Sequence, residues 1–135
     1  MTKEELKGII TLDLLIQSKQ RQLDNLNQQK LCVKAIGFKD DKVSPTNKVT
    51  NPQEELILRI VDLETSLQKD IINLFRLKCK ARTAISKVAG IERVVLEMRY
   101  LECMEWKEIA HRLNYSLRAV YKIHGQALEI IKRVQ

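Results

Sequence analysis

The sequence of 135 residues predicts an all-α protein, and three observations support that fold class. Only 4 glycines and 2 prolines interrupt the chain. Leu, Ile, Lys, Glu, Gln and Arg dominate the composition, and these residues favour helix over turn-rich sheet. Apolar residues also recur at steps of three and four along two long segments. We therefore expect long helices in residues 1–89, followed by a C-terminal domain of shorter helices in residues 90–135.

The first long helix is predicted from Lys3 to about Leu31. Its apolar positions repeat with the helical period, and Lys19 and Lys30 interrupt that repeat. The opposite face is rich in Gln and Asn, which is typical of a solvent-exposed surface. The apolar positions are Ile9, Leu12, Ile16, Leu23 and Leu26.

A loop is predicted at residues 32–51, because the helical period fails there and Gly, Pro, Ser, Thr and Asn gather. Asn51 and Pro52 then provide a cap and a first-turn residue for a second helix, which continues to Gly90 over about 57 Å. Such a helix needs a partner, either in a coiled-coil-like hairpin within one chain, which we favour, or across the seam of a homodimer. Its apolar positions are Leu56, Ile60, Leu63, Leu67, Ile71, Leu74, Ala81, Ile85 and Val88.

The region after Gly90 has the pattern of a helix-turn-helix. A short helix is predicted over residues 91–101, followed by a break at residues 102–104. A helix over residues 106–113 and another from residue 117 are separated by only three residues. In the first short helix, the residues expected to face inward are Val94, Val95, Met98 and Leu101.

The residues at the turn fit two helices that cross closely. Ala110 permits the close approach, and Tyr115 is expected to fill the corner between the helices. Asn114 tolerates the left-handed backbone that such a turn requires, and Ser116 is a natural N-cap for the second helix. The apolar stripes of the two helices are formed by Ile109, Leu113, Val120 and Ile123.

The outward face of the second motif helix is the candidate DNA-binding surface. Residues 112–135 contain five basic residues and one acidic residue, whereas residues 91–111 contain three basic and five acidic residues. In a major groove, Arg118 and Lys122 would contact base edges or phosphates, while apolar contacts would go to thymine methyl groups. Arg112, Ser116 and the helix N-terminus would hold backbone phosphates. The full predicted set is Arg112, Ser116, Leu117, Arg118, Tyr121, Lys122 and Gln126.

Residues 91–134 resemble region 4 of bacterial sigma-70-type factors, the module that recognises the promoter −35 element. The resemblance is clearest in Trp106-Lys107-Glu108-Ile109-Ala110-His111-Arg112-Leu113, with Ser116, Val120 and Ala127-Leu128 following. The wider layout, with its Thr-Lys-Glu-Glu-Leu opening and Arg99-Tyr100-Leu101-Glu102, is similar to small phage and prophage regulators of the ArpU/RinA type. These resemblances imply a DNA-binding helix-turn-helix that acts with RNA polymerase.

Three positions depart from favourable sequence at the motif. Cys103 stands where relatives commonly have Gly, and Glu105 stands where they commonly have a Ser or Thr cap. Without such a cap, we expect the free energy of unfolding to be lower by about 1 kcal/mol. Gly125 lowers helix propensity by a similar amount and leaves room for a phosphate or a neighbouring helix. His124 is expected near phosphate, and Trp106 is expected in the core.

Other function classes lack support in the sequence. We expect no enzyme, no cofactor and no metal site, because no Gly-rich phosphate loop, catalytic arrangement or ligand spacing occurs. Cys32, Cys79 and Cys103 are odd in number and lack a Cys-x-x-Cys pair, so neither disulfides nor zinc are indicated. No apolar run approaches the length of a membrane span, and the acidic opening does not fit a secretory leader, so we expect a cytoplasmic protein without membrane contact.

Together with the basic helix-turn-helix, these resemblances imply a phage or prophage regulator that binds specific double-stranded DNA and acts with host RNA polymerase in the bacterial cytoplasm. The net charge of +7 favours a polyanionic partner. Two alternatives remain open. One is a small-terminase-like subunit that recognises DNA for packaging, and the other is a protein that binds polymerase or a sigma factor without binding DNA.

Overall fold

A computed structural model describes residues 1–35 and 51–134 of the chain. Its helices are α1 (Lys3–Ala35), α2 (Pro52–Ile85), α3 (Ile91–Leu96), α4 (Trp106–Leu113) and α5 (Leu117–Val134). A π-helical segment, Glu97–Leu101, directly continues α3. No strand occurs among the described residues, so the prediction of an all-α fold is confirmed.

The ends of the long helices differ from the predicted ends. Helix α1 continues to Ala35, so residues 32–35 of the predicted loop are helical. The rest of that loop, residues 36–50, lies outside the described residues. Helix α2 ends at Ile85. The Val88 amide then donates a hydrogen bond to the Ile85 carbonyl oxygen at 2.9 Å.

Gly90 separates α2 from α3. Its φ of 77° lies in the left-handed region, where a side chain would be strained. A Cβ at this position would also lie 3.2 Å from the Glu92 carboxylate. The chain therefore needs glycine here to leave the second long helix and begin the next one.

The chain divides into two compact units, Leu15–Ile71 and Met1–Leu14 together with Ile72–Gln135. We call these the helix-pair unit and the motif unit. In the helix-pair unit, α1 packs against α2 through one small apolar cluster. Leu23, Ile60 and Leu67 are its buried members, and Ile16, Leu26, Leu56 and Leu63 pack around them.

A polar contact lies beside this cluster. Lys19, which interrupts the apolar repeat of α1, donates to the Ser66 hydroxyl at 2.7 Å and pairs with the Asp70 carboxylate. Both charged side chains are largely buried. The ammonium group of Lys19 therefore finds polar partners on α2. These contacts favour one register between the two helices.

The motif unit has two apolar cores. The first joins the beginning of α1 and the end of α2 to the C-terminal half of α5. The second lies inside the helix-turn-helix. The buried residues of the first core are Leu6, Ile9, Ala81, Ile85, Val88, Leu96, Tyr100, Ala127, Leu128 and Ile131. The motif unit thus includes residues from the region 1–89, which the sequence analysis placed before the C-terminal domain.

Helix α3 and the π segment that follows it contribute residues to both cores. The Glu102 amide donates to the Glu97 carbonyl at 3.0 Å, a step of five residues that widens the turn. Val95 lies in the second core, whereas Leu96 and Tyr100 lie in the first. Leu96 and Tyr100 are four residues apart, as on one face of a helix, but the sequence analysis assigned neither of them to a core.

Among the described residues, no helix is both long enough and apolar enough to span a bilayer.

Candidate nucleic-acid interface

Helix α4 forms the first half of the helix-turn-helix. Its buried residues, Ile109 and Ala110, face the second core. Glu105 occupies the N-cap position and its side chain makes no capping hydrogen bond, as the sequence predicted. The helix is therefore held by its packing more than by its first turn.

The turn has the geometry that the sequence predicts. Asn114 lies at φ 56° and ψ 36°, in the left-handed region that ends α4. The Tyr115 amide donates to the Ala110 carbonyl at 3.0 Å. Ser116 then caps α5, because its hydroxyl oxygen accepts the Ala119 amide at 3.1 Å. Asn114 and Ser116 together set where the second motif helix begins.

The second core holds α4 and α5 at their crossing. Ile109 and Val120 are fully buried, and Ala110 is 7% exposed at the point of close approach. Tyr115, in contrast, is 44% exposed. The expectation that Tyr115 fills the corner is wrong, because Ile109, Val120 and the neighbouring Met104 already close that core.

Cys103 begins a bend that supports the N-terminus of α4. Its φ of 54° is left-handed, a conformation that glycine adopts more easily than a residue with a side chain. The bend brings the Met104 carbonyl to within 2.8 Å of the Arg99 guanidinium, which donates to it. The same guanidinium lies 4.5 Å from the centre of the Trp106 ring, in a cation–π contact. Trp106 thus packs at the edge of the second core, half-buried.

Two side chains of α5 pack against Trp106. The Tyr121 ring meets it edge-on at 5.2 Å between centroids, and the His124 ring does so at 4.6 Å. Nε2 of His124 also shares a hydrogen bond of 2.7 Å with the Tyr100 hydroxyl. The aromatic contacts therefore fix the orientation of α5 against the rest of the motif.

The contacts of His124 with Tyr100 and Trp106 do not favour the phosphate contact that the sequence predicts. Its half-buried position lowers the pKa of the imidazole to about 4, with further lowering by the positive charges of Arg99 and Lys3. The ring is therefore neutral at pH 7, and one of its nitrogens is occupied by Tyr100.

The seven predicted interface residues lie at the end of α4, at the turn and along the first half of α5. Six of them are exposed and Leu117 is half-buried. Arg112 pairs with Glu108 at 3.4 Å on the solvent side of α4. Arg118 and Lys122 make no ion pair or hydrogen bond with any residue that the structure describes. Their positive charges are therefore available to a ligand.

Gly125 lies on the same side of α5 as Arg118 and Lys122, since residues three and four apart share a helix face. A Cβ built on it would meet nothing within 4 Å. The packing of this chain therefore gives no reason for a glycine at this position.

The arrangement defines a helix-turn-helix domain with an exposed basic second helix. Comparison with known families agrees, since residues 80–130 match the family model described as sigma-70, region 4. The match begins in α2 and ends in α5, and it covers less than half of the chain. No curated protein and no solved structure matches the chain. The matched region is thus similar to a DNA-binding helix-turn-helix of the transcription apparatus.

The resemblance to sigma-70 region 4 seen in the sequence is confirmed for this region. Sequence reasoning missed the supporting contacts of Arg99, Tyr100 and Trp106. The one signal in the sequence was Cys103 in place of a usual glycine, which indicates a tight bend before α4.

Proposed function

We propose that this protein is a phage or prophage transcription regulator that binds specific sites in duplex DNA and acts with host RNA polymerase. The observation that carries the proposal is the exposed basic face of α5, presented by a domain that matches sigma-70 region 4. A recognition helix of this kind enters the major groove and contacts base edges with residues near its N-terminus.

The exposed side chains suggest a division of roles. Arg118 and Lys122, both without partners among the described residues, would contact guanine edges or phosphates. Gln126 would reach a base or phosphate further along the groove. Tyr121 is 48% exposed and held by Trp106, so its ring would present an apolar edge to a thymine methyl group.

The backbone contacts would come from the turn. Ser116 and the first amides of α5 form a helix N-terminus, which attracts phosphate. Arg112 would add a second phosphate contact, because its pair with Glu108 is exposed and therefore weak. Leu117, at the first position of α5, would pack against the sugar or a thymine methyl group.

Contact with polymerase is assigned to the acidic residues before and at the start of α4. Glu102 and Glu105 are exposed and make no ion pair with any described residue. Recruitment of polymerase to a bound site would then use these carboxylates while α5 holds the DNA. Reversing both charges should remove the effect of polymerase on DNA occupancy while leaving DNA binding by the protein alone unchanged.

The test compares two double variants of α5 by equilibrium binding to the protein's own site. Arg118→Ala with Lys122→Ala should weaken binding by about 30-fold or more and should reduce the salt dependence by about two counterions. Lys132→Ala with Arg133→Ala removes the same charge from the far end of the same helix and should change affinity by less than about 5-fold. Equal effects of the two variants would contradict the assigned face.

A further inference from the structure

Helix α2 carries a second apolar face besides the one that packs against α1. Ile57, Val61, Ile72 and Phe75 are 48%, 50%, 53% and 67% exposed. With Gln68 they repeat at steps of four, seven, four and three residues, which places them on one side of α2. We call these five residues the second seam of α2.

The second seam is distinct from the buried one. Ile60 and Leu67 are each 6% exposed and pack against α1. At about 100° per residue, the second seam lies roughly a quarter turn around α2 from those positions. Ile71, which the sequence assigned to the buried face, is 48% exposed and lies between the two. Large apolar side chains that repeat with a coiled-coil period normally meet a partner helix.

Charges along the second seam change sign from one end to the other. Glu54 and Glu64 lie beside its N-terminal half, whereas Arg76 and Arg82 lie beside its C-terminal half. All four are exposed, and none forms an ion pair with another described residue. A second α2 in the opposite direction would bring acidic residues against basic ones, whereas a parallel α2 would place like charges together.

The positions are also symmetric about Gln68. Val61 and Phe75 are each seven residues from it, and Glu54 and Arg82 are each fourteen residues from it. An antiparallel copy centred on Gln68 would therefore pair Val61 with Phe75 and Glu54 with Arg82, twice each. A two-fold interface requires this kind of self-complementary surface.

We propose that the second seam of α2 binds the same seam of a second copy of this chain, antiparallel, with the two-fold axis at Gln68. This dimer goes beyond the proposed DNA binding and does not depend on it, because neither the seam nor its charges belong to α5. The N-terminal helices then pair both within the chain, through the buried seam, and between chains, through the exposed one.

Sedimentation equilibrium of the full-length protein tests the surface. Phe75→Asp and Val61→Asp should each weaken dimerisation by at least about 30-fold, since each places a carboxylate against an apolar side chain of the other copy. Leu14→Asp is the matched control, because Leu14 is 59% exposed on α1, away from the buried seam, and should leave the dimer unchanged. Circular dichroism would verify that all three variants remain helical. A wild-type protein that is monomeric at 100 μM, or a ring of eight or more copies unaffected by these changes, would overturn the proposal.

Disulfide trapping tests the direction, in a chain whose own three cysteines are replaced by Ser. Gln68→Cys should link to itself across the axis, and a mixture of Val61→Cys and Phe75→Cys chains should form the mixed dimer. Val61→Cys alone should stay unlinked, because the antiparallel arrangement places its copies about 20 Å apart. Efficient linking of Val61→Cys to itself would show a parallel seam and contradict the axis at Gln68. Binding to DNA is read separately, so failure of the dimer leaves the proposed function intact.

Discussion

The motif unit and the helix-pair unit are both helical, yet different physical features determine them. In the helix-turn-helix, Ile109 and Val120 are fully buried, and Asn114 and Ser116 fix the turn between their helices. The helix-pair unit instead rests on three buried leucine and isoleucine side chains and on one polar contact at Lys19. A motif with fixed offsets thus specifies its own core, whereas a repeating apolar pattern leaves a choice of which face is buried.

The largest effect is expected from a cavity in the second core. Ile109→Ala should lower the free energy of unfolding by about 3 kcal/mol, because Ile109 is fully buried between α4 and α5. Val61→Ala removes a comparable side chain from an exposed position and should change it by less than about 0.5 kcal/mol in a monomeric background. Urea titrations of both variants measure the difference, and similar losses would contradict the distinction between the two units.

The polar contact of the helix-pair unit should give the next largest effect. Asp70→Ala should lower the free energy of unfolding by about 1 to 2 kcal/mol, because it leaves the largely buried ammonium of Lys19 with only the Ser66 hydroxyl. Lys19→Met combined with Asp70→Leu should be neutral or stabilising, since apolar groups then fill the same seam. If the double variant were as unstable as Asp70→Ala, the contact would not be replaceable by packing.

His124 should make the motif unit sensitive to acid. Burial lowers its pKa from 6.5 to about 4, so the unfolded chain binds a proton more readily than the folded one. The stabilisation is fully present above pH 6.5 and is lost as the pH falls from 6.5 towards 4. Because the ring is only half-buried, solvent screening limits the loss in free energy of unfolding to about 1 to 2 kcal/mol.

The measurement is thermal unfolding of wild type and His124→Phe across that pH range, with His111→Gln as the control at an exposed histidine. The Phe variant should lose most of the decline between pH 6.5 and pH 4, while the control should keep it. An unchanged decline in His124→Phe would assign the acid sensitivity to other groups.

The smallest effect is expected at Gly125. Gly125→Ala should raise the free energy of unfolding by about 0.5 to 1 kcal/mol, because the added Cβ meets nothing and the helix propensity improves. Calorimetry of the free protein measures this gain. If DNA lies close to this face of α5, the same variant should bind its site more weakly despite its higher stability. Destabilisation by the alanine would show that a close contact is present at Gly125.

Sequence reasoning located the features that depend on one residue type in one conformation. Asn114 is left-handed, Ser116 is a cap, and Glu105 fails to cap, all as expected. It failed where the cause is a distant contact. Nothing near Leu6 or Tyr100 in the sequence shows that they join one core, and no proline or glycine marks the π segment that follows α3.

The exposed basic residues of α5 and the contacts that hold α5 in place also differ in how far the sequence predicts them. Exposure of Arg118 and Lys122 follows from the helical period alone, and the structure agrees with that expectation. The contact of Arg99 with Trp106, and of Trp106 with Tyr121, brings together three separate helical segments. A periodic pattern within one helix contains no information on such contacts, so the support of the interface was visible only in three dimensions.

The most direct test of the central claim is binding to a tiled set of duplexes from the genome that encodes this protein. It would be measured at two salt concentrations, with and without RNA polymerase of the bacterial host. A specific regulator predicts one tile with high affinity that persists at the higher salt and is strengthened by polymerase. Uniform binding that disappears with salt would contradict sequence recognition by α5 and would leave a basic helical protein without a specific DNA site.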